Sequence, residues 1–133
     1  MITPVRRQTR QRHAITEAIS QAGRPLSVHE ILAIASKGQP GLGIATIYRT
    51  IKALITAGTL HEVALPGADV RFELADLDHH HHFHCRSCDK VYEMAGCPGN
   101  LRSLTPKGFL MEGHDLVISG LCASCLGRRT ARG

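Results

Sequence analysis

Cys85-Arg-Ser-Cys88 and Cys122-Ala-Ser-Cys125 are two C-x-x-C pairs with 33 residues between them. Two intervening residues let both thiolates of a pair face one ion across a tight turn, and zinc takes four such ligands tetrahedrally at about 2.3 Å. Four thiolates leave no open coordination position, so the expected role is a structural Zn2+ site. The spacer exceeds that of a simple zinc ribbon, which predicts a small domain between the two knuckles. A redox C-x-x-C would need a βαβ setting, and none surrounds these pairs. The fifth cysteine, Cys97, sits in Ala95-Gly-Cys-Pro-Gly99 and reads as an incidental loop thiol.

Just ahead of the first knuckle runs Asp78-His-His-His-His-Phe-His-Cys85, with five of the nine histidines. On a strand, side chains alternate between faces. His79 and His81 then point one way, and His80, His82 and His84 the other, so one strand feeds two separate metal sites. Imidazoles suit zinc, iron, nickel and copper, and added carboxylates keep zinc, iron and manganese open. Candidates to complete these sites are His61, Glu73, Glu93 and His114. A site combining His61 and Glu73 with His80 and His82 would clamp two domains together and turn metal occupancy into domain orientation, as allostery requires. The isolated His13 and His29 read as solvated side chains.

A third group is basic. Residues 1–60 hold eight Lys/Arg against two Asp/Glu, or +6, whereas 61–127 carry about −4. Gly43-Ile-Ala-Thr-Ile-Tyr-Arg-Thr50 opens a helix whose apolar stripe faces inward, leaving Thr46, Tyr48, Arg49 and Lys52 outward. In helix-turn-helix proteins the start of such a helix enters the major groove, where Arg reads guanine and Lys, Thr and Tyr reach phosphate or thymine methyl. Arg6, Arg7, Arg10 and Arg12 would add salt-dependent backbone contacts.

The elements that must hold these groups are legible as patterns. Thr9 to Ala22 has helical apolar spacing and stops at Gly23. Ser27-Val-His-Glu30 is a capping box for a helix ending near Lys37-Gly38. A third helix spans about Ile44 to Ala57, with Ile44, Ile47, Ile51, Leu54 and Ile55 inward and Gly58 as its stop. Leu60–Leu65 and Val70–Leu74 flank the turn 66–69 as a hairpin. Three helices and a hairpin match a winged helix-turn-helix over 1–75. A linker is placed at 76–78, a metal-binding α/β unit at 79–127 and a basic tail at 128–133. Within that unit, strands are expected at His79–Arg86, Val91–Met94, Phe109–Glu112 and Leu116–Ser119, with a short helix or turn over Asn100–Lys107.

A chain of 133 residues with no Trp and 4% aromatics has no large aromatic core, and a unit below about 70–80 residues needs a staple. No apolar run approaches the ~20 residues of a membrane span. The N-terminus lacks a secretory signal. A cytoplasmic location follows, where cysteines are metal ligands before they are disulfides. No organic-cofactor motif is present. The chain is not expected to be an enzyme: it has no His-Glu-x-x-His, and the deaminase pattern of His-x-Glu with Pro-Cys-x-x-Cys is also missing.

At Ala45-Thr-Ile-Tyr-Arg49, Phe72-Glu-Leu74, the histidine run abutting Cys85-x-x-Cys88, and the second knuckle after Ser119-Gly-Leu, the chain resembles the ferric uptake regulator family of metal-dependent bacterial repressors. The resemblance covers about residues 6–126. It implies an α+β homodimer with an N-terminal winged helix and a C-terminal dimerisation domain that closes on an inverted-repeat operator in double-stranded DNA. By the resemblance, Cys85, Cys88, Cys122 and Cys125 match the structural zinc site. Glu73, His80 and His82 match the regulatory site, His79, His81 and His114 a second site, and Tyr48 and Arg49 DNA contacts. Iron and peroxide sensors commonly place a histidine ahead of the second helix, where this chain has Pro25. His61 falls where zinc uptake regulators place a hairpin ligand. The expected regulatory set is therefore His61, Glu73, His80 and His82, holding Zn2+ in preference to Fe2+. The segment Gly99–Lys107 lacks the acidic ligand usual for the second site, and Glu93 is the expected substitute. A regulator of iron, manganese or peroxide response is the alternative. A zinc buffer or chaperone is another, but it leaves the basic half unexplained.

Overall fold

The first helix, α1, spans Pro4–Ala22, five residues earlier than the apolar stripe alone predicts. The added turn carries Arg6 and Arg7 and no apolar face, so periodicity could not reveal it. Ser27 and Glu30 make the expected reciprocal cap of α2 (Val28–Gly38): each side chain accepts from the other residue's amide at 3.1 Å. This satisfies two helix-start donors that would otherwise lack partners. α3 covers Ile44–Thr56. The chain leaves it through Gly58 at φ +78°, a left-handed turn that glycine enters without steric cost. Ile47, Ile51 and Leu54 are buried as expected, but Ile44 is 37% exposed because it occupies the open first turn.

The strands β1 (Leu60–Leu65) and β2 (Ala68–Leu74) pair antiparallel across a connection at Pro66-Gly67, with His61 opposite Glu73. Leu26, between α1 and α2, exchanges both backbone hydrogen bonds with Phe72, at 3.0 and 2.8 Å, and so ties the wing to the helices. Ile15, Ile19, Leu26, Ile31, Ile47, Ile51, Leu54, Leu60 and Phe72 form one continuous apolar core under these elements.

The computed structural model describes residues 4–75, 80–99 and 101–132. It divides the chain into two units, Met1–Leu77 and Asp78–Gly133. The expected linker at 76–78 and the ligand candidate His79 lie outside the described residues.

The second unit is built differently. β3 (His81–Cys85) is central in the order β4-β3-β5, antiparallel to β4 (Val91–Met94) and parallel to β5 (Val117–Gly120). The expected strand at Phe109–Glu112 does not form. Pro106 and Gly108 precede it, Gly113 follows, and Phe109 and Leu110 are 72% and 82% exposed with no strand beside them. Between Leu101 and Lys107 the regular structure is one 3-10 turn, Arg102–Leu104. Residues read as a basic tail are helical: α4 spans Ala123–Arg132. No helix among the described residues is long and apolar enough to cross a membrane.

Candidate metal centres and nucleic-acid interface

Cys85 ends β3, and the chain turns back through Asp89, at φ +66°, into β4. The Asp89 amide donates to the Cys85 carbonyl, and the Cys85 amide to the Lys90 carbonyl, both at 2.9 Å, closing the first knuckle. Parallel pairing sets Cys85 beside Gly120 of β5, and the Arg86 amide extends it by donating to the Gly120 carbonyl at 2.9 Å. That register delivers Cys122 and Cys125, at the start of α4, to Cys85 and Cys88. A Cβ on Gly120 would lie 3.2 Å from the Phe83 ring, so glycine lets this ring cover the cluster.

The four sulfurs lie within 4.8 Å of one another, with Cys88 Sγ and Cys122 Sγ 3.9 Å apart. A tetrahedron of ~2.3 Å Zn–S bonds has sulfurs about 3.8 Å apart. Burial pushes the Cys85 thiol up, but the amides of Cys88, Cys122 and Ser87 donate to its sulfur and bring it down to about 6. The Lys90 amide draws the Cys88 thiol down, yet burial and the three neighbouring sulfurs outweigh it and hold Cys88 up at about 11. The Cys125 amide likewise draws the Cys122 thiol down against its burial, so Cys85 and Cys122 favour the thiolate while Cys88 resists it until a cation neutralises the cluster. Arg128, on α4, donates to Cys125 Sγ at 2.9 Å. The donor set, spacing and surrounding N–H groups fit a structural zinc.

The histidine run divides by face as expected. His80 and His82 share one side, their rings edge-on with centroids 4.7 Å apart. His84, on that side too, pairs with Asp89 at 2.6 Å. His81 points the other way and is fully buried. In the first unit, His61 Nε2 hydrogen-bonds Glu73 Oε1 across the wing, the His61 side chain being 45% exposed and that of Glu73 only 2%. A carboxylate this deeply buried needs a cationic or hydrogen-bonding partner.

The second-site residues are rearranged relative to expectation. His81 and His114 do meet, stacked with centroids 5.0 Å apart. Glu93 does not join them. It pairs in register with His82, on the opposite face of the sheet, and is exposed. Cys97 takes the place beside them, with its Sγ 3.3 Å from His81 Nε2 and 3.1 Å from His114 Nε2. Sequence reading passed over this thiol because its approach depends on the fold of the 95–99 loop.

On the first unit, Arg7, Gln8, Gln11 and Arg12 of α1 face Thr46 and Arg49 of α3 across one groove. Arg49 Nη2 donates to Thr46 Oγ1 at 3.2 Å. Tyr48, 54% exposed, and Lys52 lie on α3 outside that groove, one helical turn apart. Gln8 and Gln11 were missed, although the 7-8-11-12 spacing is a helical stripe once α1 begins at Pro4. The arrangement offers a basic, hydrogen-bonding face around one exposed helix, suited to phosphates and base edges.

A winged helix carrying such a face, joined in one chain to a four-cysteine cluster and a histidine-rich strand, defines a metal-binding DNA regulator. The chain belongs to the ferric uptake regulator family, whose members are metal-responsive transcriptional regulators: the family model matches residues 5–118. A ferric uptake regulation protein of Bordetella parapertussis is 30% identical over 105 residues, 77% of this chain and 76% of that protein. The ferric uptake regulator of Francisella tularensis, solved with iron, is 25% identical with a TM-score of 0.69, covering 95% of this chain and 94% of that one. FurB of M. tuberculosis, a zinc uptake regulator, is also 25% identical, with a TM-score of 0.50 and coverage of 90% and 95%. Relatives named for iron and for zinc thus both align with this chain.

Proposed function

We propose that this protein is a zinc-responsive transcriptional repressor, acting in the cytoplasm as a homodimer on an inverted-repeat operator. In this reading His61, Glu73, His80 and His82 form the regulatory site. The observation that carries it is the pairing of His61 with the buried Glu73 directly across the wing. An imidazole and a carboxylate held together there, with two more imidazoles on one face of the histidine strand, make a four-ligand nitrogen and oxygen set of the kind zinc takes. By the family resemblance, Pro25 falls where iron sensors commonly supply a histidine. A divalent ion at this set would supply the charge that fixes the two units in one orientation.

Dimerisation accounts for the exposed apolar side chains of the second unit, Phe109, Leu110, Ile118 and Leu126. Such residues ordinarily mark a protein contact when they form a patch. In the DNA complex, Arg12, Thr46 and Arg49 would line the groove, with Tyr48 and Lys52 beside it. The alternative is an iron-, manganese- or peroxide-responsive regulator: a relative solved with iron aligns at the same 25% identity as the zinc uptake regulator. Cys85, Cys88, Cys122 and Cys125 would hold zinc in either case.

Selection from a random duplex pool by zinc-loaded and by ferrous-loaded protein separates the readings. The proposal expects zinc to enrich an inverted repeat at the lower free concentration. It also expects His80→Ala to lose that metal-dependent binding while both units stay folded. Enrichment by ferrous ion alone would establish the alternative, and enrichment indifferent to metal would remove the sensor reading altogether.

A further inference from the structure

The face of the sheet opposite His80 and His82 carries a second convergence of donors. His81 is buried, His114 is half-buried and Cys97 is exposed. We propose that Cys97, His81 and His114 form a cation site of one thiolate and two imidazoles, which takes zinc and discriminates against hard divalent ions such as Mn2+. The family resemblance places histidines and an acidic ligand in this region. The inference concerns what this chain has instead, a sulfur donor, and what that sulfur selects.

Three observations carry it. The first is distance. A thiolate and an imidazole bound to one tetrahedral zinc, at bond lengths of ~2.3 and ~2.05 Å, lie about 3.6 Å apart. Here Cys97 Sγ is 3.3 and 3.1 Å from the two Nε2 atoms. The second is support. His81 is fixed on β3 and the two rings stack, while Gly96 and Gly99, at φ +87° and +93°, turn the loop that brings Cys97 over them. The third is access. Burial falls from His81 through His114 to Cys97, so the thiol end of the cluster is exposed to solvent. Such a site exchanges its ion, unlike the closed four-cysteine cluster.

Binding releases the Cys97 thiol proton to solvent, and one rearrangement of His81 is required. The Leu116 amide donates to His81 Nδ1 at 3.1 Å, which places the proton of the neutral ring on Nε2, facing Cys97. Coordination through Nε2 moves that proton to Nδ1, and the Leu116 amide then turns to another acceptor. Donor softness supplies the selectivity: thiolate and imidazole suit zinc, whereas manganese favours carboxylate and water. The site shares no residue with the proposed regulatory set, so the two readings fail separately.

The test uses the full-length protein with its four-cysteine cluster filled and exchangeable metal removed. Zn2+ or Mn2+ is added, iodoacetamide follows, and alkylation of Cys97 is read by peptide mass spectrometry. Zn2+ is expected to slow that alkylation several-fold, and Mn2+ at the same concentration to leave it unchanged. Protection should disappear in His114→Ala and persist in His80→Ala. By equilibrium dialysis, Cys97→Ser should bind one zinc fewer per chain. Alkylation indifferent to Zn2+, equal protection by Mn2+, or an unchanged zinc count in Cys97→Ser would each overturn the proposal.

Discussion

The two units solve the problem of stability in opposite ways. The first packs Ile15, Ile31, Ile47, Ile51, Leu54 and Phe72 into a continuous apolar interior. The second has only 56 residues, and among its described residues a buried cluster is made of Cys85, Cys122 and Cys125 under Phe83, Tyr92 and Leu121. Among its described residues, Val91 is the one buried aliphatic side chain. Apolar burial contributes about 1.5–3 kcal/mol per large side chain, and one such residue cannot offset the backbone entropy of a domain. The second unit is therefore expected to depend on its ligands, together with the dimer contact proposed above, which ties metal occupancy to fold there. In the first unit they are separate.

The sharpest way to break this contrast is Cys85→Ser. Structural zinc contributes about 10–16 kcal/mol in small zinc-finger peptides, far more than the second unit can lose. The expected outcome is loss of the zinc and of dispersed amide signals for the second unit, with the first unit's signals intact. A Cys85→Ser protein that keeps both units folded would contradict the contrast.

The converse substitution is Ile31→Ala, at a side chain with no exposed surface. It should cost the first unit about 2–5 kcal/mol, visible as a lowered first thermal transition in calorimetry. Zinc content should not change. A loss of zinc on Ile31→Ala would mean that the units are one cooperative structure.

How much of this was legible in the sequence follows the same division. The capping box of Ser27 and Glu30, the helical stripes and the Pro66-Gly67 hairpin rest on contacts a few residues apart, and the structure has them. The C-x-x-C pairs were legible because two residues between ligands is itself the geometry of a knuckle. The second unit was harder. Phe109–Glu112 has the composition of a strand, but a strand needs a neighbour to pair with, and composition does not name one. Arg128 reads as tail because charge conceals a helix whose buried side chain, among the described ones, is Cys125. Cys97 reaches His81 and His114 across 16 and 17 residues, through a loop whose path depends on two glycines at positive φ. Glu93 is the expected substitute for an acidic second-site ligand, but the length of the knuckle at 86–89 sets it in register with His82, on the face away from His81.

Smaller effects sharpen the first unit's role. Arg49→Ala, removing a guanidinium from the groove between α1 and α3, should weaken binding to the selected duplex by about 1–3 kcal/mol and relax specificity. Lys52→Ala should instead weaken all duplexes alike and lower the salt slope by about one. Anisotropy titrations at several salt concentrations read both, and identical salt slopes for the two variants would undo the distinction between groove and flank.

The smallest effect is Glu30→Gln. Burial raises the Glu30 carboxyl, but the Arg24 guanidinium at 2.5 Å and the Ser27 amide outweigh it and hold it below its ordinary value. A depressed carboxyl contributes stability above its unfolded pKa and loses it as pH falls through the folded one. The variant should therefore be less stable by about 0.5–1 kcal/mol at neutral pH, and the difference should fade as the pH drops below the ordinary glutamate range and through the depressed folded pKa. Urea denaturation at neutral and at acid pH measures it, and an equal difference at both would remove the ion pair as its cause.

The most direct measurement is zinc content, taken beside a two-dimensional amide spectrum and duplex binding, as the full-length protein passes through mild and then strong chelation. The account predicts that mild chelation leaves one zinc per chain, both units folded and duplex binding lost. Strong chelation should then remove that zinc and collapse the signals of 80–132, while those of 4–75 remain. A second unit that stays folded after its last zinc has gone would contradict the account.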